Sequence, residues 1–510
     1  MDEALWPCYI GAMLPLHGRR TSAQAINRRE VLNIGGLGLL GLSLDGFLRL
    51  QAAHAAPAAT ASRFGQAKAC ILIHLFGAHP QHETFDPKPD APAEVQGELK
   101  AISTSVPGVI LGEGLPLVAR VADRLTIVRS LTHALPFHGV HYTISGIPTI
   151  SPTVEADPND RQLWPSIGSV VDYLDDQRSG GGASPVPRNI GMPFVLYSKA
   201  NFRPLGGPYG GFLGSRYDPV WTEFSSRGTK AVPNPTAKTD VYDPFGGIEP
   251  TSRFDLAGPV NLPEGVDAAR HALRRSLLAQ FDATRRRLDA DPRVAAYDRY
   301  QSVAWELLTS SKLGEALDVA QEPAAIRERY GMTLFGQSAL AARRLIESGG
   351  RFVTLFWDAY GDATAGWDTH FHHYARLKQF LLPGFDQTFS ALVLDLEARG
   401  LLDETLVICT SEHGRTPRLT DRPGGGREHW SRAYSSLLAG GGTAGGNVVG
   451  RTDSIGGDVA STPVSPKDIL ATAFHLLGID PHATVPDPLG RPVPIAGDGR
   501  MRTELIDGEG

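Results

Sequence analysis

Cysteine is scarce in this sequence, with three residues in 510. Cys8 stands near the N-terminus, and Cys70 and Cys409 fall inside apolar runs. That pattern excludes a disulfide framework and a CxxC metal site, leaving the two internal thiols as small core hydrophobes. Long apolar runs are missing too. Beyond the N-terminal segment none reaches the roughly 18 uninterrupted residues a membrane helix needs, which predicts no transmembrane span in the mature chain. Nor is there a surplus of positive charge. Lys and Arg total 49 against 55 Asp and Glu, a formal net charge of −6, so nucleic acid is excluded as a partner on electrostatic grounds. No internal repeat is evident.

What is present is an ordinary globular composition, 42% hydrophobic and 20% charged, with enough chain to bury a sizeable core. The 57 Gly and 38 Pro point to long ordered loops. At the N-terminus, Asn27-Arg28-Arg29-Glu30-Val31-Leu32 precedes a Gly/Leu-rich run from Ile34 to Leu44 and then Ala53-His54-Ala55. A basic pair, a short apolar run and a small-x-small site are the parts of an export signal, and the twin arginine favours the Tat route. Residues 1–55 are therefore expected to be a Tat-type leader, and the mature protein periplasmic or extracellular; a membrane tether would require the leader to be retained. The plainer alternative is a buried N-terminal helix.

Short apolar runs recur at Ala69–Phe76, Leu125–Arg129, Pro193–Tyr197, Arg351–Trp357, Thr405–Thr410 and Ser435–Ala439. Helical spacing lies between them, at Trp164–Leu174, Gln337–Glu347, Tyr374–Arg399 with a break at Pro383, and Pro466–Leu477. Continuous apolar strands alternating with amphipathic helices predict an α/β protein, with a mainly parallel sheet covered on both faces. One domain is expected over 66–500. Within it, residues 264–316 have Arg-rich helical periodicity and predict a helical insertion. Residues 200–260, rich in Gly, Pro and aromatics without periodicity, predict a long ordered loop layer.

The placement of histidine carries the functional argument. Of 16, two (His17 and His54) lie in the leader, and eleven of the rest fall within or just after a predicted strand: His74, His79, His82, His133, His138, His141, His370, His372, His373, His413 and His429. In open α/β sheets ligands bind outside the carboxyl ends of the strands, where the loops converge. Gly366-Trp367-Asp368-Thr369-His370-Phe371-His372-His373 offers a carboxylate with imidazoles two and four residues on, able to wrap one divalent cation. Glu412 and His413 follow the run 405–410, with Gly414 permitting a sharp turn. His429 ends the loop Gly424-Gly425-Gly426-Arg427-Glu428. The alternatives are a polar loop with a hydrogen-bonded Asp–His pair, a Glu412–Arg415 ion pair, and a structural imidazole.

In that order the segments Gly-Trp-Asp-Thr-His, Ser-Glu-x-Gly-Arg-Thr-Pro and Gly-Arg-Glu-His-Trp resemble the uncharacterised bacterial domain family 1501 (DUF1501). Glu83-Thr84-Phe85-Asp86-Pro87, Ile127-Val128-Arg129-Ser130 and Gly211–Pro219 agree with it, so the resemblance covers about 66–490. It implies the alkaline phosphatase and sulfatase-like superfamily, with an α/β/α sandwich holding one or two divalent metals and a nucleophile for phosphate or sulfate esters. The superfamily's Asp-x-x-x-His motif would fall on Asp368 and His372, with His370 competing; its Asp-His pair on Glu412 and His413; its late histidine on His429. Its first-strand Asp has no counterpart here, and Glu83, His82 or His79 is left to substitute. The nucleophile region would be 130–146, with hydroxyls from Ser130, Thr132, Thr143 and Ser145 and bases from His133, His138 and His141. Arg415 or Arg129 would clamp an anionic oxygen. The absence of Cys-x-Pro-Ser-Arg argues against a formylglycine sulfatase.

The expectation is thus an exported metal-dependent hydrolase, with Thr132, His138, His141 and Arg415 catalytic. Its divalent metal (Zn, Mn or Ca) would sit on Asp368, His370, His372, Glu412, His413, His429 and Glu83. Its substrate would be a small-molecule or polysaccharide-linked ester. The alternatives are a non-catalytic metal- or glycan-binding relative and a cell-surface scaffold.

Overall fold

The computed structural model describes residues 63–149, 162–180, 186–199, 204–234, 239–257, 311–360 and 366–508, with single positions between 151 and 160. The expected leader (1–55) and residues 264–310 of the expected helical insertion lie outside the described residues. The end of that insertion is helical, Ser311–Leu317. No helix of the described residues is long and apolar enough to cross a membrane.

Nine strands form one sheet: β1 (Ala69–Leu75), β2 (Leu125–Leu131), β3 (Asn189–Met192), β4 (Val220–Ser225), β5 (Arg253–Leu256), β6 (Phe352–Trp357), β7 (Thr405–Thr410), β8 (Tyr434–Ala439) and β9 (Asn447–Val449), in the order β9-β2-β8-β7-β1-β6-β3-β4-β5. β1 pairs parallel with both β6 and β7, β6 with β3, β3 with β4, and β9 with β2. Only β8 and β5 run against them. Because β8 is antiparallel to both of its neighbours, β2 points the same way as β7. The carboxyl ends of β2, β7, β1 and β6 therefore open on one edge.

The period of two along β1 divides the core. Ile71 and Ile73 pack into an apolar cluster with helices α2 (Leu334–Glu347) and α3 (Leu382–Ala398) on one face. Cys70 and Leu72 pack with α1 (Ile167–Ser179) and α4 (Pro466–Leu476) on the other. This is the expected α/β/α sandwich with a mainly parallel sheet, and Cys70 and Cys409 are buried free thiols within it. The helices begin where their caps dictate. Ser166 and Thr333 accept from Ser169 and Gly336 backbone N–H groups, and Ser465 forms a capping box with Asp468 before Pro466. Pro383 sits in the first turn of α3, after a π-helical turn at Leu377–Leu381, which accounts for the break read at that residue.

Two expectations are corrected. The described residues of 200–260 are not a loop layer: they hold β4 and β5 at the sheet edge and a hairpin of Gly228–Asn234 with Thr239–Ile248. The predicted strand at Pro193–Tyr197 is instead Asn189–Met192, since Pro193 has no N–H to continue the ladder.

Candidate metal centre

The four carboxyl ends deliver the site. Glu412, two residues past the end of β7, is wholly buried. Its Oε1 accepts from the Gly77 backbone N–H beyond β1 at 2.7 Å and lies 2.7 Å from His138 Nδ1, in the loop after β2. Its backbone carbonyl accepts from His133 Nε2 at 2.8 Å. Gly77 has φ +96°, and a Cβ there would lie 2.4 Å from the Asp368 nitrogen, so only glycine allows this approach. Asp368 and His370 come from the loop after β6. His429 comes from a two-residue ribbon in which Gly414 and Arg415 pair with Trp430 and His429.

Around Asp368 the donors converge. His370 Nε2 and His429 Nε2 lie 2.9 and 3.2 Å from Oδ1 and 3.0 Å from each other, and His138 Nε2 lies 3.5 Å from Oδ2. His413 donates Nδ1–H to the Gly414 carbonyl at 2.8 Å, which leaves an Nε2 lone pair, buried and without a partner. Two ligand sets result, Asp368–His370–His429 and His138–His413–His429; within each, all donor atoms lie within 4.8 Å of one another. A buried unpartnered imidazole nitrogen beside a carboxylate and further imidazoles is the donor chemistry of a divalent cation site, and these residues fit one.

The electrostatics agree. Burial opposes charge on His138, but hydrogen bonds with Asp368 and Glu412 outweigh it and push its pKa up to about 9. Burial would raise Asp368 and Glu412, yet the facing imidazoles hold both far below the usual carboxylate range, with Arg415 adding to the effect on Asp368. Burial pushes the pKa of His413 and of His429 down, which favours the neutral ring that a ligand must present.

Other candidates are not brought to this point. His372 adopts φ +49°, donates its backbone N–H to the Pro423 carbonyl and packs beside Gly424, whereas His370, the competing choice, lies beside Asp368 and His429. His141 is bound through Nε2 to the Trp164 carbonyl at 2.8 Å and pushed down by burial to about 4. His79 and His82 contact Ser435 Oγ and the Ile455 carbonyl. Glu83 is a buried anchor: its Oε1 receives Arg427 Nε and Nη2 at 3.0 and 2.6 Å and the Tyr374 hydroxyl at 3.1 Å. Its Oε2 lies 3.5 Å from His373. Arg415 clamps no free space. Its buried guanidinium reaches the carbonyls of Gly77, Ala78, Trp367 and Arg427 and the Asp368 carboxylate, so it braces the site. Arg129 is likewise engaged on the carbonyls of Phe85 and Ile110. Of the hydroxyls, Ser130, Thr143 and Ser145 donate to the carbonyls of Thr462, Val140 and His141. Thr132, half-buried just past β2, makes no hydrogen bond to the cluster among the described residues.

The sequence reading passed over Asp358, the residue after β6. It is buried, accepts from the Tyr197 and Ala359 backbone N–H groups at 2.7 Å each, and is pushed up to about 7 by burial. Its position at a strand's carboxyl end was the available signal. Glu428, 2.6 Å from His370 Nδ1, was also missed, although it adjoins His429.

A family model described as "Protein of unknown function (DUF1501)" matches residues 67–506. No curated protein matches the chain. Among solved structures, the phosphonate monoester hydrolase SpPMH from Silicibacter pomeroyi is similar at TM-score 0.35 and 11% identity, covering 87% of this chain and 77% of that one. The PsFucS1 sulfatase from Pseudoalteromonas sp. is similar at TM-score 0.37 and 13% identity, covering 82% and 69%. The lipoteichoic acid synthase LtaP from Listeria monocytogenes is similar at TM-score 0.33 and 9% identity, covering 83% and 76%.

Proposed function

The chain belongs to the DUF1501 family, and from that premise we propose that it is an exported, metal-dependent hydrolase of phosphate or sulfate esters, including esters carried on polysaccharides. The observation that supports this most is the buried, unpartnered Nε2 of His413 facing His138 and His429 at the carboxyl edge of a parallel sheet. Asp368, His370 and His429 would hold the ion, with His138, His413 and His429 the alternative set sharing the His429 ring. A divalent ion there would supply Lewis acidity toward an ester oxygen.

The chain's own residues account for the proton. His138 carries one between Glu412 and Asp368 and is part-exposed, so it is placed to pass that proton to a leaving oxygen as the ester bond breaks. Glu412 orients the ring from a fully buried position. Arg415 braces Asp368 and does not contact substrate. The attacking oxygen is either water or Thr132, the hydroxyl of this region not engaged on a carbonyl.

The experiment is hydrolysis of aryl phosphate and aryl sulfate by the purified, metal-loaded protein. Turnover lost in Asp368→Ala with folding intact supports the reading, and Thr132→Ala separates the two attacking groups. Bound metal without turnover across a broad ester panel would replace it with a non-catalytic metal-binding role. No stoichiometric metal would leave the scaffold reading.

A further inference from the structure

We propose that a groove on the outer side of the His429 ribbon is a saccharide subsite, taking a sugar chain that carries anionic groups; the proposal rests on the ester-hydrolase reading above. The groove encloses about 440 Å³, within the range of small-molecule sites, and Trp430, Pro417 and Leu419 contribute its apolar lining. Arg418 and Arg432 line it too. Side chains alternate along an extended ribbon, so His429 turns to the donor cluster while Glu428 and Trp430 turn to the groove. Glu428 belongs to both: it lines the groove, and its Oε2 lies 2.6 Å from His370 Nδ1. The groove therefore meets the metal centre at Glu428, and a chain esterified at the ion would continue into it.

The chemistry of the lining selects the occupant. The Trp430 Nε1–H donates to the Gly457 carbonyl at 2.7 Å, which fixes the ring and leaves its carbon surface for contact. Such a surface suits the C–H face of a pyranose. The Arg432 guanidinium lies 5.4 Å from the Trp430 ring centroid, and its Nε and Nη2 donate to the two Asp458 oxygens at 2.6 Å each. Arg418 Nη1 donates to Glu94 Oε1 at 2.5 Å. All four charged side chains are exposed, so these pairs contribute little, and either guanidinium can turn to a sulfate, phosphate or carboxylate on the sugar chain at small cost. An extended peptide fits less well, because a peptide strand needs free backbone partners. Here the N–H groups of Thr416, Leu419 and Thr420 are spent on the carbonyls of Glu428, Glu94 and Gly426, that of Glu428 is spent on Thr416 Oγ1, and Pro417 has none.

The test is calorimetric titration of the full chain, metal removed by chelator, with hexasaccharides of cellulose, dextran and chitin, each plain and chemically sulfated. The wild type should bind at least one sulfated hexasaccharide, and its plain form more weakly. Trp430→Ala should weaken both forms roughly tenfold or more. Arg432→Gln, a substitution at an exposed side chain, should weaken only the sulfated form and flatten its salt dependence. Unfolding midpoints at the wild-type value show that these losses are local. Binding to none of the sugars overturns the proposal, as does unchanged affinity for the sulfated sugar in either variant. Inorganic sulfate or hexaglutamate bound as tightly as the sulfated sugar also overturns it, making the groove a plain anion site or an acidic-peptide site. Aryl-ester turnover without sugar binding strikes the subsite and leaves the hydrolase reading standing; sugar binding without turnover does the reverse.

Discussion

His138 offers the most quantitative check on the electrostatics of the site. In the metal-free protein it sits between two carboxylates, 2.7 Å from Glu412 Oε1 and 3.5 Å from Asp368 Oδ2, and its pKa rises from 6.5 to about 9. A group whose folded pKa is raised contributes stability that is fully present below its unfolded pKa and is lost as pH rises through the folded one. The window for His138 is therefore pH 6.5 to about 9. At about 1.4 kcal/mol per pH unit, the shift amounts to about 3 kcal/mol, an upper bound because the ring is part-exposed. Urea unfolding of chelator-stripped protein, stepped from pH 6 to pH 10, should show this loss in the wild type, and His138→Gln should lack that part of the slope. Parallel profiles for the two proteins would refute the bridging proton. The same proton must leave if His138 becomes a ligand, so metal affinity is expected to rise with pH up to about 9.

Three further outcomes follow from the same contacts. Arg415→Met removes a buried cation from four carbonyls and Asp368, and should lower stability by about 3–5 kcal/mol in urea unfolding. Glu83→Gln leaves Arg427 buried beside a neutral group and should cost a similar ~3–5 kcal/mol, part of which Arg427→Met in the same background recovers. A loss under about 1 kcal/mol would show that this pair is not a buried anchor. His372→Ala should leave metal affinity unchanged by calorimetric titration, whereas His370→Ala should not, which separates the two imidazoles the sequence could not.

Much of the fold was legible because its core strands are buried on both faces and read as unbroken apolar runs: Thr405–Thr410 is recovered to the residue. The edge was not. The hairpin strand Thr239–Ile248 contains Pro244, Gly246 and Gly247, whose low strand propensity hides a pairing supplied by its partner. The site was legible to the level of which loops converge, since loop position follows from strand direction. It was not legible to the level of side-chain aim. His138 and His141 stand three residues apart, yet one joins two carboxylates and the other a backbone carbonyl. Asp368, His370 and His372 alternate along a loop whose backbone turns left-handed at His372, and periodicity does not reveal that turn. Arg415 and Glu83 have the chemistry of an anion clamp and a metal ligand, and only their burial partners show that they are braces.

The central claim is that a cation site is built at the carboxyl edge from residues of separate loops that converge on His429. Its most direct test is anomalous diffraction from crystals of the full chain soaked with Zn²⁺ and, separately, Mn²⁺. The account predicts a single dominant peak beside His429, bounded by Asp368 and His370 and absent in Asp368→Ala crystals treated alike, or bounded by His138 and His413. A dominant peak elsewhere, or none at this cluster in the wild type, would contradict it.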